Sequence, residues 1–78
     1  MADVFSTEVV KRFTGEIASR LSEASTLATT AETLSSQGLT KHAFETLMDV
    51  EPLIFEATAL LNAASIVRRS HREEDRSG

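Results

Sequence analysis

Apolar residues recur in steps of three and four along most of the chain, on both sides of one short segment, SSQGLTKHAF (residues 35–44). This spacing places them along one side of an α-helix, and the strict alternation typical of strands is absent. Glycine is rare and Pro52 is the single proline, so little in the sequence interrupts a helix. The pattern therefore predicts an all-α chain built from two long helices.

The first helix is predicted to start at Ser6, whose hydroxyl can cap the free backbone N–H groups of the first turn, with Glu8 at the positive end of the helix dipole. Its other side is rich in Ser and Thr, which are mediocre helix formers, so we expect the helix to depend on tertiary packing. Its apolar stripe comprises Val10, Phe13, Ile17, Leu21, Ala24, Leu27 or Ala28, Ala31 and Leu34.

The segment between the helices has the sequence of a helix end followed by a helix start. Gly38 occupies the position at which a left-handed residue ends a helix, and Leu39 is the apolar residue that often follows. Thr40 is predicted to cap the next helix. Because the connection is so short, the two helices are predicted to be antiparallel neighbours, which makes a helical hairpin.

The second helix is predicted to run from about Lys41 to about Arg69, with Pro52 in its middle. Proline removes one backbone hydrogen bond and clashes with the preceding turn, so the helix is kinked or broken there. We favour a kink. In the three-helix alternative, Asp49 and Glu51 suit the start of a fresh helix with Pro52 at its first position.

Length and composition bound the fold to one small domain. The chain has 78 residues, and we assign residues 1–70 to a single helical-hairpin domain and the charged residues 71–78 to a mobile tail. There is no Cys, which excludes disulfides and thiolate zinc sites. A fold this small usually needs an additional stabilising element. Here that element is predicted to be another protein chain, for example a second copy in a four-helix bundle.

Charge and hydropathy favour a cytoplasmic protein without a membrane association. The net charge of −4 argues against general nucleic-acid binding. No apolar run approaches the length that spans a bilayer. The N-terminal sequence MADVFSTEVV carries Asp3 where a signal peptide would have basic residues.

The second helix carries more apolar residues than one neighbouring helix can cover. On a helical wheel the predicted core stripe comprises Leu47, Val50, Ile54, Ala57, Leu61 and Ala64, flanked by Leu53, Leu60 and Val67. A second apolar patch on another side comprises Phe44, Met48, Phe55 and Ile66. Self-association is one explanation, and a protein partner is the other. The predicted protein-binding residues are Phe44, Met48, Leu53, Phe55, Leu60, Ile66 and Val67.

Residues that carry chemistry are sparse. His42 and Glu45 have a spacing used in di-iron bundles, but those sites need two such motifs and further inward carboxylates. No nucleophile–base arrangement and no glycine-rich phosphate loop is present. A helix-turn-helix is faintly suggested around Gly38, yet Glu45 and Asp49 on its second helix argue against direct DNA binding. We therefore predict no enzyme activity, metal or cofactor.

Two known groups of helical proteins share this layout. The two helices around Gly38, with Ala24/Leu27 and Ala31/Leu34 as small and large layers, resemble Rop-like RNA-binding hairpins, which dimerise into four-helix bundles. The size, acidity, lack of Cys and two-helix pattern also resemble the small helical antiactivators of quorum sensing, the QseM and TraM kind. That resemblance implies a regulatory protein that binds a LuxR-type or similar transcriptional activator and inhibits it. A Rop-like dimer acting on RNA or as a structural adaptor is the alternative.

Overall fold

The computed structural model describes the backbone of residues 7–77 and the side chains of residues 7–70. It contains three helices, α1 (Thr7–Ser36), α2 (Thr40–Met48) and α3 (Val50–Ser77), and no strand in that part of the chain. We call α2 and α3 together the second arm. Both pack against α1, so the second arm runs back along it. The predicted all-α helical hairpin is confirmed.

The turn between the arms contains Gly38, which has a φ of 79°. The N–H of Gly38 donates to the carbonyl of Ser35 at 3.0 Å, and the N–H of Leu39 donates to the carbonyl of Leu34 at 3.0 Å. These two bonds define a Schellman motif, in which a left-handed residue satisfies the last carbonyls of a helix. The sequence-based prediction for Gly38 is confirmed.

The predicted cap at Thr40 is wrong. Thr40 is the first residue of α2, and the capping position is taken by Leu39, which makes no side-chain cap bond. The cause is the shortness of the link, since Leu39 also accepts the first hydrogen bond of α2 from the N–H of Ala43 at 2.9 Å. One residue thus ends one helix and begins the next. The predicted cap at Ser6 lies outside the described residues.

The second arm is bent, as predicted, and its interruption is a single residue, Asp49. Asp49 keeps helical angles (φ −70°, ψ −13°), but its N–H donates to the carbonyl of Thr46, at 3.1 Å, in the tighter i to i−3 pattern. Pro52 explains the bend, because its nitrogen has no hydrogen for the carbonyl of Met48 and its ring crowds that turn. In the three-helix alternative Pro52 was the first residue of the fresh helix, whereas it is the third residue of α3.

The end of the second arm differs from the prediction. Helix α3 continues to Ser77, beyond the end predicted at about Arg69. The division into a domain of residues 1–70 and a mobile tail of residues 71–78 stays a prediction.

The hydroxyl-rich side of α1 faces solvent, as expected. Thr26 donates to the carbonyl of Ser22 at 3.2 Å, Thr30 to that of Thr26 at 3.0 Å, and Thr33 to that of Thr29 at 3.2 Å. These bonds turn the hydroxyls back onto their own helix. This side of α1 therefore supplies no contact to the second arm.

A narrow seam of small residues joins the two arms. Its buried members are Ala24 and Ala31 on α1, Ala43 on α2 and Ala57 on α3. Half-buried residues complete the seam, in alternating steps of four and three. They are Phe13, Ile17, Arg20, Leu27 and Leu34 on α1, and Thr46, Val50, Leu53, Leu60, Ala64 and Val67 on the second arm. This is the seven-residue repeat of a coiled coil.

The seam corrects the predicted core of the second arm. Leu47 and Ile54 (44% exposed each) and Leu61 (58% exposed) were predicted to lie in the core, yet they lie outside the seam. The flanking residues Leu53, Leu60 and Val67 occupy the seam instead. Hydrophobicity did not distinguish the two overlapping apolar stripes. The alanines do, because helices that approach closely need small side chains at the contact.

The core predicted on α1 needs a comparable correction at two positions. Val10 and Leu21 were predicted to belong to the apolar stripe, but they are 44% and 46% exposed, and Arg20 lies in the seam. Arg20 can occupy this position because its long aliphatic stem packs at the seam while its guanidinium reaches the edge. Of the two residues left open by the sequence, Leu27 lies in the seam and Ala28 is exposed.

Candidate protein-binding surfaces

The hairpin is a single layer of helices. Its extents are 61 × 18 × 12 Å, and the smallest of these is about the diameter of one helix. Stable domains usually have at least two packed layers around a core. The hairpin of residues 7–70 therefore lacks the second layer of a stable domain.

One apolar surface lies along the line where the two arms meet. We call it the inter-arm face and define it by Val10, Leu21 and Ala28 on α1 with Leu47, Ile54 and Leu61 on the second arm. Its large members are 44–58% exposed. Leu21 and Ala28, like Leu47, Ile54 and Leu61, are seven residues apart, so each set follows the seam on one side.

Two grooves on the inter-arm face show that both arms contribute to the same surface. A groove of about 250 Å³ at the open end of the hairpin is lined by Val10, Phe13 and Leu61, among others. A second groove of about 390 Å³ near the turn is lined by Ala28, Ala31, Ala43, Phe44 and Leu47, among others. The inter-arm face is thus a shallow apolar trough along the hairpin.

The second surface is the outer patch, formed by Phe44, Met48, Phe55 and Ile66 on the side of the second arm away from the seam. Phe55 is 74% exposed and Phe44 60% exposed. Aromatic and Met side chains are common anchors at protein interfaces, and Met adapts to irregular surfaces. Phe44 also lines the groove near the turn, so it lies on the border between the outer patch and the inter-arm face.

The structure brings together only part of the predicted binding set. The four members of the outer patch lie exposed on the second arm. Leu53, Leu60 and Val67 are half-buried in the seam. Sequence reasoning missed Leu47, Ile54 and Leu61 as surface residues. The signal that could have found them is the small residue at every seventh position of the second arm, which marks the seam. These residues are Ala43, Val50, Ala57 and Ala64.

The opposite edge of the seam is charged. Arg20 is paired there with Glu16 on its own helix and with Glu56 on α3. Glu is depleted at protein interfaces, whereas Arg is enriched there. The two carboxylates make this side of the seam more polar than the inter-arm face, although Phe13 and Leu60 line a groove beside Glu16.

The described side chains form a contact surface and no chemical centre. Among residues 7–70, no group of three His, Cys, Asp or Glu residues could hold a metal ion. In the same residues, no buried side-chain nitrogen or oxygen lacks a hydrogen-bond partner. The absence of enzyme activity and of a cofactor stays a prediction.

The second arm is also apolar enough to be weighed as a membrane segment. Within Thr40–Ser70, one 18-residue window has a mean hydropathy of 1.4, and 6% of it is buried. The sequence-based expectation of no such run is therefore wrong by length and composition, although these criteria alone are weak evidence of a span. Glu51 and Glu56 lie within this arm, and a carboxylate at the bilayer centre costs several kcal/mol. A protein cover for the same apolar residues leaves both carboxylates in water.

Comparisons with protein-family models, with curated proteins and with solved structures find no match to this chain. The resemblances to quorum-sensing antiactivators and to Rop-like hairpins therefore stay predictions.

Proposed function

We propose that this chain is a non-enzymatic regulatory module that acts by binding another protein through the outer patch. Following the resemblance to small antiactivators, we propose that the partner is a transcriptional activator, which the module occupies and inhibits. The proposal includes a homodimer of two hairpins as the active form. The observation that carries it is the contrast between a seam whose buried residues are alanines alone, among the described residues, and the large apolar side chains left exposed to water.

The size of this contrast supports a bound fold over a free-standing one. Burying one large apolar side chain contributes roughly 1.5–3 kcal/mol, whereas an alanine methyl contributes about 0.8 kcal/mol. The four buried alanines therefore contribute little, and the larger seam residues are only half-buried. Part of the available apolar stabilisation thus remains for contacts with another chain.

The outer patch is suited to a hetero-partner because it does not depend on the other arm. Its anchors all lie on the second arm, Phe44 and Met48 on α2 and Phe55 and Ile66 on α3. A helical arm that presents apolar anchors a turn or more apart can occupy a groove on a partner. The acidic net charge favours a partner whose groove has a basic rim, such as a DNA-binding protein.

The test uses Phe55→Glu with Ser22→Glu as its control, since both residues are exposed and Ser22 lies on the hydroxyl-rich side of α1, away from the outer patch. Tagged wild type, Phe55→Glu and Ser22→Glu are used to capture proteins from the source cells at 0.5 M salt. We expect wild type and Ser22→Glu to retain a transcriptional activator and Phe55→Glu to lose it by tenfold or more, because one anchor contributes at least about 1.4 kcal/mol.

A second assay separates inhibition from mere binding. The captured activator is purified and its DNA binding is measured with increasing amounts of each variant. Inhibition by wild type and Ser22→Glu, but not by Phe55→Glu, supports the proposal. Capture of RNA that is released as salt rises would support the Rop-like alternative instead. Equal capture by all three variants would show that the outer patch is not the binding surface.

A further inference from the structure

The part of the inter-arm face on the second arm is symmetric about Ile54. On the second arm, Leu47 and Leu61 lie seven residues before and after Ile54. On α1, Leu21 lies at the middle of a helix that spans Thr7–Ser36. The contact between Arg20 and Glu56 places Leu21 and Ile54 near the same height along the hairpin. A surface with equal spacing on both sides of its centre is complementary to its own copy turned end for end.

We infer that the inter-arm face binds a second copy of the chain, face to face, with the two turns at opposite ends of a four-helix bundle. The two-fold axis lies between the copies and crosses each hairpin at Leu21 and Ile54. Ile54 then packs on Ile54 of the second copy, and Leu47 packs on Leu61 of the second copy. Each contact occurs twice except those on the axis, as a two-fold interface requires.

The size of the face agrees with this occupant. The 30 residues of α1 make the hairpin about 45 Å long, and with a width of 18 Å one side offers about 800 Å². A stable interface of standard size buries roughly 800 Å² on each partner. A second hairpin laid along this side therefore makes an interface of standard size. It also converts a single layer into two packed layers.

The shapes of the two ends favour opposed turns. The groove near the turn has small residues at its floor, Ala28, Ala31 and Ala43. The open end carries larger residues, including Phe13 and Leu61. With the turns at opposite ends, Phe13 of one copy lies over the region of Ala28 and Ala31 of the other, while Leu61 lies over Leu47. With the turns at the same end, large residues meet large residues and the alanine-lined grooves face each other.

The charges at the rim favour the same orientation. Lys11 and Glu32 lie on the same side of α1 because three seven-residue repeats separate them, and they lie toward opposite ends of the helix. In the opposed arrangement, Lys11 of each copy meets Glu32 of the other. With the turns at the same end, α1 packs over the second arm of the other copy, which brings Lys11 near Arg68, a residue of the open-end groove. Repulsion between these two positive charges disfavours the same-end arrangement.

This inference specifies the dimer that the proposed function includes, and it needs no partner protein. The outer patch is separate from most of the inter-arm face, so Phe55 stays exposed in the dimer. Partner binding through the outer patch and dimerisation through the inter-arm face can therefore be refuted independently. Phe55→Glu tests partner binding with the dimer intact, and Ile54→Glu tests the dimer.

The first experiment is the molar mass of the purified full chain by light scattering, over a hundredfold range of concentration. We expect twice 8.5 kDa for wild type, Phe55→Glu and the control Ala59→Glu. Ile54→Glu places two carboxylates on the two-fold axis, and we expect it to raise the dissociation constant at least a hundredfold. A wild type that is monomeric at every concentration would overturn the inference, as would an Ile54→Glu that dimerises like wild type.

The second experiment tests the dimer even if Ile54→Glu does not fold. The natural chain has no Cys, so an introduced thiol has no competitor. Under mild oxidation we expect Ile54→Cys alone, and Leu21→Cys alone, to form covalent dimers, while Ala59→Cys does not. In the same-end arrangement Leu21 meets Ile54 of the other copy, so only the double variant would crosslink, and that result would contradict the opposed orientation. Crosslinking of Ala59→Cys as readily as Ile54→Cys would contradict the face itself.

Discussion

Nε of Arg20 on α1 donates a hydrogen bond to Oε1 of Glu56 on α3 across 3.2 Å, and Nη1 of the same guanidinium reaches Oε1 of Glu16 at 3.3 Å. Arg20 occupies a seam position at which the repeat otherwise places apolar residues, with 31% of its side chain exposed. A charged residue at one such position is a known way to fix the register of a coiled coil at some cost in stability. The pair thus links the arms at one height and keeps that edge of the hairpin polar.

Replacement of Arg20 by Leu is expected to stabilise the hairpin. The ion pairs are half-exposed and together contribute no more than about 1 kcal/mol, whereas a Leu in the seam buries apolar surface worth a similar amount or more. We expect the urea midpoint of Arg20→Leu to rise. Glu56→Gln serves as the control and should lower the free energy of unfolding by less than about 1 kcal/mol. A large loss of stability in both variants would mean that the ion pair is the main link between the arms.

The general fold followed from the sequence because local signals determine it. The three-and-four spacing identifies the helices, and Gly38 with Leu39 identifies the turn. The sequence could not predict which apolar residues lie in the seam and which lie on the surface, because Leu53 and Ile54 are equally hydrophobic neighbours that point to different sides. That choice depends on how closely two backbones approach, which is a property of both arms together. The site prediction was affected in the same way, since it placed Leu53, Leu60 and Val67 at a partner surface.

Enlarging a seam alanine is expected to destabilise the hairpin. Ala57 is 6% exposed between the arms, so the three extra carbon atoms of Leu force the helices apart or into strained rotamers. We expect Ala57→Leu to lower the free energy of unfolding by roughly 1–3 kcal/mol. Ala59→Leu on the exposed side of α3 is the control and should change it by less than about 0.5 kcal/mol. Denaturant unfolding at one fixed protein concentration measures both, since oligomerisation makes apparent stability depend on concentration.

The two described glycines make a matched pair in which the same substitution has opposite effects. An added Cβ meets nothing within 4 Å at either Gly15 or Gly38, so the difference is one of backbone conformation alone. Gly38 has a φ of 79°, a region that costs an L-residue about 1–2 kcal/mol. Gly15 lies inside α1, where Ala is favoured by roughly 0.5–1 kcal/mol. We expect Gly38→Ala to lower the melting temperature and Gly15→Ala to raise it. A rise with Gly38→Ala would contradict the left-handed turn.

Replacement of Pro52 by Ala tests the origin of the bend. With Ala at position 52, an N–H becomes available for the carbonyl of Met48, and the steric pressure on the turn at Asp49 is removed. We expect the helical circular dichroism signal to increase and the unfolding free energy to rise by less than about 3 kcal/mol, because Pro52 already lies in the first turn of α3, where proline is tolerated.

The straightened arm should also change the relative positions of the outer-patch residues, since Phe44 and Met48 lie before the bend and Phe55 and Ile66 lie after it. Pro52→Ala is therefore expected to weaken partner binding while it stabilises the fold. Ala59→Pro is not a suitable control because it would break α3, whereas Ala59→Ser keeps the helix and should leave both properties within error. Unchanged partner affinity in a demonstrably straighter Pro52→Ala would show that the partner contacts only one side of the bend.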